Sequence, residues 1–238
     1  MEGFTAATYN IHHGEGLDGV IDLSRVASVL RESGADVIAL QELDRSLART
    51  GGEDHVSRLE GLSGYTITFH ATLQRGHGEY GIAIATRDGL ENVRFEPLPR
   101  VASEEPRGAI VARWHGVTVI STHLSQHRRP RALQRDRVLD LALTVPQPVL
   151  VMGDLNQGPR ALGSFRRAGL HGGGDHTRTF PAGLVRRVPM LLRVRPGLLG
   201  RKIDHILAGP GLEVLRAWTI PSPASDHLPV VAELARRP

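Results

Sequence analysis

The chain has 238 residues and 25.9 kDa, with 40% hydrophobic and 23% charged residues, a balance that excludes disorder, collagen-like sequence and coiled coil as descriptions of the whole. No apolar run approaches the roughly 20 residues that span a bilayer, and the absence of cysteine removes disulfides, thiolate metal sites and a cysteine nucleophile. The formal charge of +4 is unevenly spread: residues 126–137 carry net +4 and 186–202 net +6, which leaves −6 on the other 209 and gives a mildly acidic body two basic segments suited to an anionic partner.

Apolar runs and helical spacing predict, in chain order, a strand at 4–10, a helix over 22–33 with Asp22 as N-cap, and strands at 36–41, 65–71, 81–86, 109–114 and 117–122. A second helix follows over 130–143 with Pro130 in its first turn, then a strand at 149–153, a weaker helix over 159–168, and strands at 203–208, 214–219 and 228–234. Strands outnumber helices about three to one, which points to mixed sheets covered by helices. No repeat or composition break divides the chain, so one domain over 1–238 is expected, as a monomer. The opening MEGFTAATYN reads as a strand without a signal peptide, and a cytoplasmic location is the expectation.

Many of these strands begin or end in polar residues that can do chemistry: Tyr9-Asn10, Gln41-Glu42, His123-Leu124, Asp154-Leu155-Asn156, Asp204-His205 and Ser225-Asp226-His227. Singly each is a plausible turn former or cap; together they would converge on one rim of a rigid scaffold. Carboxylates and amides are hard oxygen ligands, which suit Mg2+ or Mn2+ better than zinc. The neighbours His12 and His13 point to opposite sides and make a poor zinc pair. His55, His70, His77, His115, His127, His171 and His176 have no partner motif and are expected on the surface or in loops. A serine nucleophile is not indicated, because Gly61-Leu62-Ser63-Gly64 has the wrong spacing, and no glycine-rich nucleotide loop is found.

The stretches TYNIHHGEGLDG (8–19), DVIALQELD (36–44), EYGIAIATR (79–87), EPRGAIVAR (105–113), STHL (121–124), VMGDLN (151–156), KIDHIL (202–207) and SDHLPV (225–230) resemble, in order and over nearly the whole chain, the endonuclease/exonuclease/phosphatase superfamily of metal-dependent phosphoesterases. The resemblance implies a four-layer α/β sandwich, two mixed sheets face to face with helices outside. It also implies Glu42 as principal metal ligand with Asn10 and Asp226 close to the ion, which would be Mg2+ or Mn2+. Asp154 would orient or deprotonate the attacking water, with Asn156 holding phosphate or metal. His227, paired with Asp204, would contact phosphate, with His123 as the second histidine and Arg107 as a phosphate-binding arginine. Glu79 and Tyr80 match a segment in which some nucleases pair a Glu with that second histidine and place a Tyr near phosphate.

Departures from the family pattern are Leu43-Asp44, where apurinic endonucleases carry a Lys, and Ile82 with Ala85-Thr86, which read as packing. The first functional expectation is a phosphodiesterase or nuclease acting on nucleic acid, gripped by Arg128, Arg129 and Arg131 and by 186–202. The second is a phosphodiesterase or phosphatase of a lipid headgroup, such as sphingomyelin or an inositol phosphate, with the apolar and basic 186–202 segment on an anionic membrane surface. A non-catalytic binding module fits less well, since the Glu, the Asp-x-Asn pair and the Asp-His pair are all present.

Overall fold

The computed structural model describes residues 3–173, 178–181 and 200–237. In chain order it contains β1 (Gly3–Asn10), α1 (Leu23–Ser33), β2 (Val37–Arg45), α2 (His55–Ser63), β3 (Thr66–Arg75), β4 (Gly78–Thr86), β5 (Glu91–Pro97) and β6 (Gly108–Trp114). There follow β7 (Val117–His123), α3 (Arg128–Thr144), β8 (Val149–Asp154), α4 (Gly163–Arg167), β9 (His171–Gly172), β10 (Asp204–Ala208), β11 (Leu212–Thr219) and β12 (Val230–Arg236).

The strands form two six-stranded sheets, ordered β11-β12-β1-β2-β4-β3 and β5-β6-β7-β8-β10-β9. Each sheet has one parallel pair at its centre, β1 with β2 and β7 with β8, joined by a helix, and antiparallel neighbours elsewhere. A parallel pair needs such a crossover, and the sequence supplies it: Asp22 accepts from the Ser24 amide at the start of α1, and Gly34 closes the helix in the left-handed conformation.

The central strands are apolar without alternation because both of their faces are covered. In β2, Val37 and Ala39 point between the sheets with Ile84, Val119, Leu150 and Met152, while Ile38 and Leu40 point outward with Val26 and Leu30 of α1. On the other outer face Val149 and Val151 pack with Val138 and Leu141 of α3 and Phe165 of α4. Ser121 Oγ crosses the interior to donate to Ala83 O at 3.1 Å. The result is the four-layer order of helices, sheet, sheet and helices that the resemblance implied.

Two expectations need amending. α2 was not anticipated; its nine residues hold only Val56, Leu59 and Leu62 as large apolar groups, and its clearest signal is Asp54, which caps the Val56 and Ser57 amides. β5 also escaped, because an edge strand exposed over most of its length has no apolar face to read. Of the basic segment 186–202, only 200–202 are among the described residues, so the membrane contact expected of 186–199 lies outside them. No described helix is long and apolar enough to cross a membrane.

Candidate active site

The two parallel pairs deliver their carboxyl ends to one rim. β1 ends at Asn10, opposite Gln41 of β2; β7 ends at His123, opposite Asp154 of β8. β10 runs antiparallel to β8, so its first residue, Asp204, also lies opposite Asp154. The turn before β12 is tied to the same rim by Ser225 Oγ, which donates to Asn10 O at 2.8 Å, and carries Asp226 and His227. Eight of the residues named from sequence, Asn10, Glu42, His123, Asp154, Asn156, Asp204, Asp226 and His227, are thereby brought together.

Glu42 reaches the rim through an irregularity. β2 shifts register against β4 between Gln41 and Leu43, and Glu42 sits in the bulge with φ +64°. A non-glycine residue in that region costs about 1 kcal/mol, and the bulge turns the carboxylate out of the strand's alternation. Asn156 likewise turns at φ +51° just past β8.

Asp154 Oδ2 is the hub. It accepts from Asn10 Nδ2 at 3.2 Å and lies 3.4 Å from His123 Nε2 and 3.8 Å from His227 Nε2. Asn10 Nδ2 also donates to Glu42 Oε1 at 2.9 Å, so one amide spans two carboxylates. Burial, followed by the neighbouring Asp204, pushes the Asp154 carboxyl up to about 7, against the stabilising effect of His227 and of hydrogen bonds from Asn156 and Asn10. His227 Nδ1 donates to Asp204 at 3.0 Å. Burial alone would lower this imidazole, but the charge and hydrogen bond of Asp204 outweigh it and raise the group to about 10, which keeps it an imidazolium at neutral pH.

His123 is the opposite case. It is fully enclosed, and burial followed by Arg107 and His227 holds its pKa well below the usual value. Arg107 donates to its Nδ1 at 2.8 Å, which assigns the remaining ring proton to Nε2, facing Asp154. The same arginine pairs with Glu105 at 3.2 Å, and its Nε is buried without a partner. Tyr80 stands opposite Asp44 of β2, its hydroxyl driven upward in pKa by burial and hydrogen-bonded to Arg107.

Around the rim lies a cavity of about 380 Å³ whose walls include Glu42, Asn156, Asp226, His227, Arg131 and Arg201. Arg131 is lowered from its ordinary pKa by burial and then by Arg201, with Arg128 and Arg135 adding to the effect. Positive charge thus lines the wall of an acidic site.

Two expectations fail. Glu79 is turned to Arg45 at 3.4 Å and to Gln74, and does not meet His123. His55 is not a surface residue: it is wholly buried, and its Nδ1 accepts the Asp44 amide at 3.3 Å. Arg128 and Arg129 are exposed on the first turn of α3, and Arg131, one position past Pro130, lines the cavity. Asp44, the departure from the apurinic-endonuclease pattern, is a buried carboxylate held by two 2.7 Å bonds from Arg49. Ile82 and Ala85 do pack in the core. Sequence reasoning missed Phe180, whose ring lies 4.7 Å from that of His227; His12, weighed there only as half of a poor zinc pair, lies 3.8 Å from Asp226.

A divalent cation would meet two groups of donors. Asp154, Asp204 and His227 lie within 4.8 Å of one another but are fully buried, and His227 Nδ1 is committed to Asp204. Glu42 and Asp226 are half-buried on the cavity wall, beside Asn10. That all-oxygen, partly open set fits a hard ion that keeps several waters.

The family model described as Endonuclease/Exonuclease/phosphatase family matches residues 7–227. Among solved structures, an endonuclease/exonuclease/phosphatase from Beutenbergia cavernae DSM 12333 superposes with a TM-score of 0.78 at 25% identity, over 99% of this chain and 72% of the other. The D. rerio TDP2 complexed with single strand DNA product gives 0.71 at 18% identity, over 99% and 100%. The Bacteroides thetaiotaomicron VPI-5482 mannosyl-6-phosphatase Bt3783 gives 0.73 at 16% identity, over 98% and 99%. No curated protein sequence gives a significant match. The protein described above, with an acidic rim flanked by imidazoles on a double-sheet sandwich, therefore belongs to the endonuclease/exonuclease/phosphatase family of phosphoesterase hydrolases.

Proposed function

We propose that the chain is a Mg2+- or Mn2+-dependent phosphodiesterase that cleaves nucleic acid by in-line attack of water. The observation that carries the reading is the convergence of the Asn10 side-chain amide, the Asn156 backbone amide and two imidazoles, one neutral and one charged, on the carboxylate of Asp154, whose pKa is raised to about 7.

In this reading Glu42 and Asp226, with Asn10, hold the cation, which supplies charge neutralisation at the phosphate oxygens. Asp154 takes a proton from the attacking water; a base near neutrality combines availability with driving force. His227, its Nδ1 fixed by Asp204, presents Nε2–H to a non-bridging oxygen, and Arg107 presents a second donor. His123 and Asn156 hold Asp154 in place. Phosphoryl transfer asks for positioning and charge stabilisation more than for covalent catalysis, and each group has such a part.

Nucleic acid is favoured as substrate because Arg131 and Arg201 line the cavity wall and the exposed Arg128 and Arg129 extend the positive surface beside it. The test is a parallel assay with Mg2+ or Mn2+ on plasmid DNA, single-stranded DNA, RNA, sphingomyelin and inositol phosphates. Cleavage of a polynucleotide, weakening steeply with salt, is expected. Turnover confined to sphingomyelin or inositol phosphates would replace this reading by the lipid-headgroup one.

A further inference from the structure

Glu42 lines two cavities, the one at the rim and a neighbour of about 420 Å³. Arg49 stands on the wall of the second. A guanidinium and a half-buried glutamate on one cavity are natural partners, yet among the described residues Arg49 pairs with Asp44 and not with Glu42, whose Oε1 accepts from Asn10. β2 thus offers two acids two positions apart, and the arginine has taken the buried one.

Asp44 is placed for that capture. Its side chain is fully enclosed, and Arg49 Nε and Nη2 each donate to one of its oxygens at 2.7 Å, the two-pronged contact that holds a guanidinium most firmly. Thr50 Oγ1 donates to the same carboxylate at 3.3 Å, and the Asp44 amide donates to His55 Nδ1, so the acid is fixed at both ends. Arg49 is raised above its ordinary pKa first by hydrogen bonding to Asp44 and then, against burial, by the charge of Asp44, with Tyr80 and Glu42 adding less. Glu42 therefore feels the same guanidinium but comes last in the contest for it. Burying a carboxylate is costly even when it is well paired, and an apolar brace would hold the loop as well. What the charge of Asp44 adds is a hold on an arginine that shares a cavity with Glu42.

We propose that Asp44 is a positioning residue of the metal site: by holding Arg49 it leaves the Glu42 carboxylate free for the cation. The inference rests on Glu42 as a ligand in the hydrolytic reading and deepens that reading. Released from Asp44, the guanidinium would turn to the next carboxylate on its cavity and compete with the ion for the same oxygens. Asp44, where the chain departs from the apurinic-endonuclease pattern, then serves the ion without touching it.

The experiment titrates the full chain with Mn2+ by calorimetry, without substrate, in the unmodified protein, Asp44→Asn, Arg49→Met and the double variant, with ion-free thermal melts to show that each is folded. Asp44→Asn is expected to weaken Mn2+ binding at least ~10-fold, as loss of one charged contact does. Arg49→Met should bind the ion as tightly as the unmodified protein or more tightly, and the double variant should return to within ~3-fold of it. A pair that merely braces the loop predicts the reverse for Arg49→Met, which strands Asp44 in the interior and would weaken binding as Asp44→Asn does; that result overturns the proposal. Unchanged binding in Asp44→Asn overturns it too, as does a difference that vanishes in about 0.5 M KCl, where charges not in contact are screened. Should Asp44→Asn fail to fold, Arg49→Met decides alone. If Glu42→Ala binds Mn2+ as tightly as the unmodified protein, the assignment of Glu42 falls and this inference with it; if Glu42→Ala loses the ion while Asp44→Asn does not, only this inference falls.

Discussion

Asp154 has to be an anion in surroundings that oppose one. It is buried and it faces Asp204, while the His227 imidazolium and hydrogen bonds from Asn10 and Asn156 favour its charged form. A carboxyl held up to about 7 can accept a proton near neutral pH, and Asp154→Ala is expected to lower kcat on bis-p-nitrophenyl phosphate by at least ~10²-fold; near-normal turnover would remove its proposed role as base. The sign of a second effect follows from His227. Against burial, Asp204 first and then Asp154 and Asp226 raise this imidazole from 6.5 to about 10, so Asp204→Asn removes the largest upward influence and the charged form is then lost at a lower pH. The alkaline limb of kcat against pH should move toward neutrality in Asp204→Asn while the unmodified enzyme stays active well above it; an unmoved limb would separate His227 from the reaction. Asp154, Asp204 and His227 were readable in the sequence because each stands at a strand boundary beside a short recognisable motif. Phe180 and His12 were not, since what recommends them is a ring contact and an approach to Asp226 that exist only after folding.

At the level of elements, the strands that carry the site are those whose neighbours press hardest. Gly153 precedes Asp154 with φ +151°, and a Cβ there would collide with Thr122 O of β7. Gly153→Ala must therefore spread the parallel pair that carries both His123 and Asp154. It should cost about 3 kcal/mol or more in urea unfolding, on the scale of severe overpacking in a core, and activity should fall with it. A variant with an unchanged midpoint would show the pair to be more yielding than its packing indicates. Patterns with a strong physical source were legible here: α1 from its cap and apolar spacing, β2 and β8 from continuous burial on two faces. α2 and β5 were not, because a short helix and an exposed edge strand are defined by neighbours more than by their own residues. The bulge at Glu42 also escaped, since nothing in Gln41-Glu42-Leu43 announces a shift of register.

Over the whole molecule, an acidic rim inside a net-basic chain predicts a response to cations. Above the ordinary carboxyl range the folded state binds the Asp154 proton that the unfolded chain has released, so stability falls as pH rises from about 4 to 7. A divalent ion that neutralises the rim should offset this. Thermal melts are expected to show Mg2+ or Mn2+ raising Tm more at pH 8 than at pH 5, and Glu42→Ala losing most of the gain; an equal rise in that variant would place the ion elsewhere. The rim itself is drawn from both sheets, with Asn10 and Glu42 on one and His123, Asp154 and Asp204 on the other. The 3.2 Å bond from Asn10 to Asp154 thus runs from one sheet to the other, and its length is set by how the buried faces of Val37, Ala39, Ile84, Leu150 and Met152 interlock. Catalysis in such an enzyme is a gauge of alignment between two slabs: a small slip deep in the interior, many residues from any substrate, reaches the chemistry before it unfolds the chain.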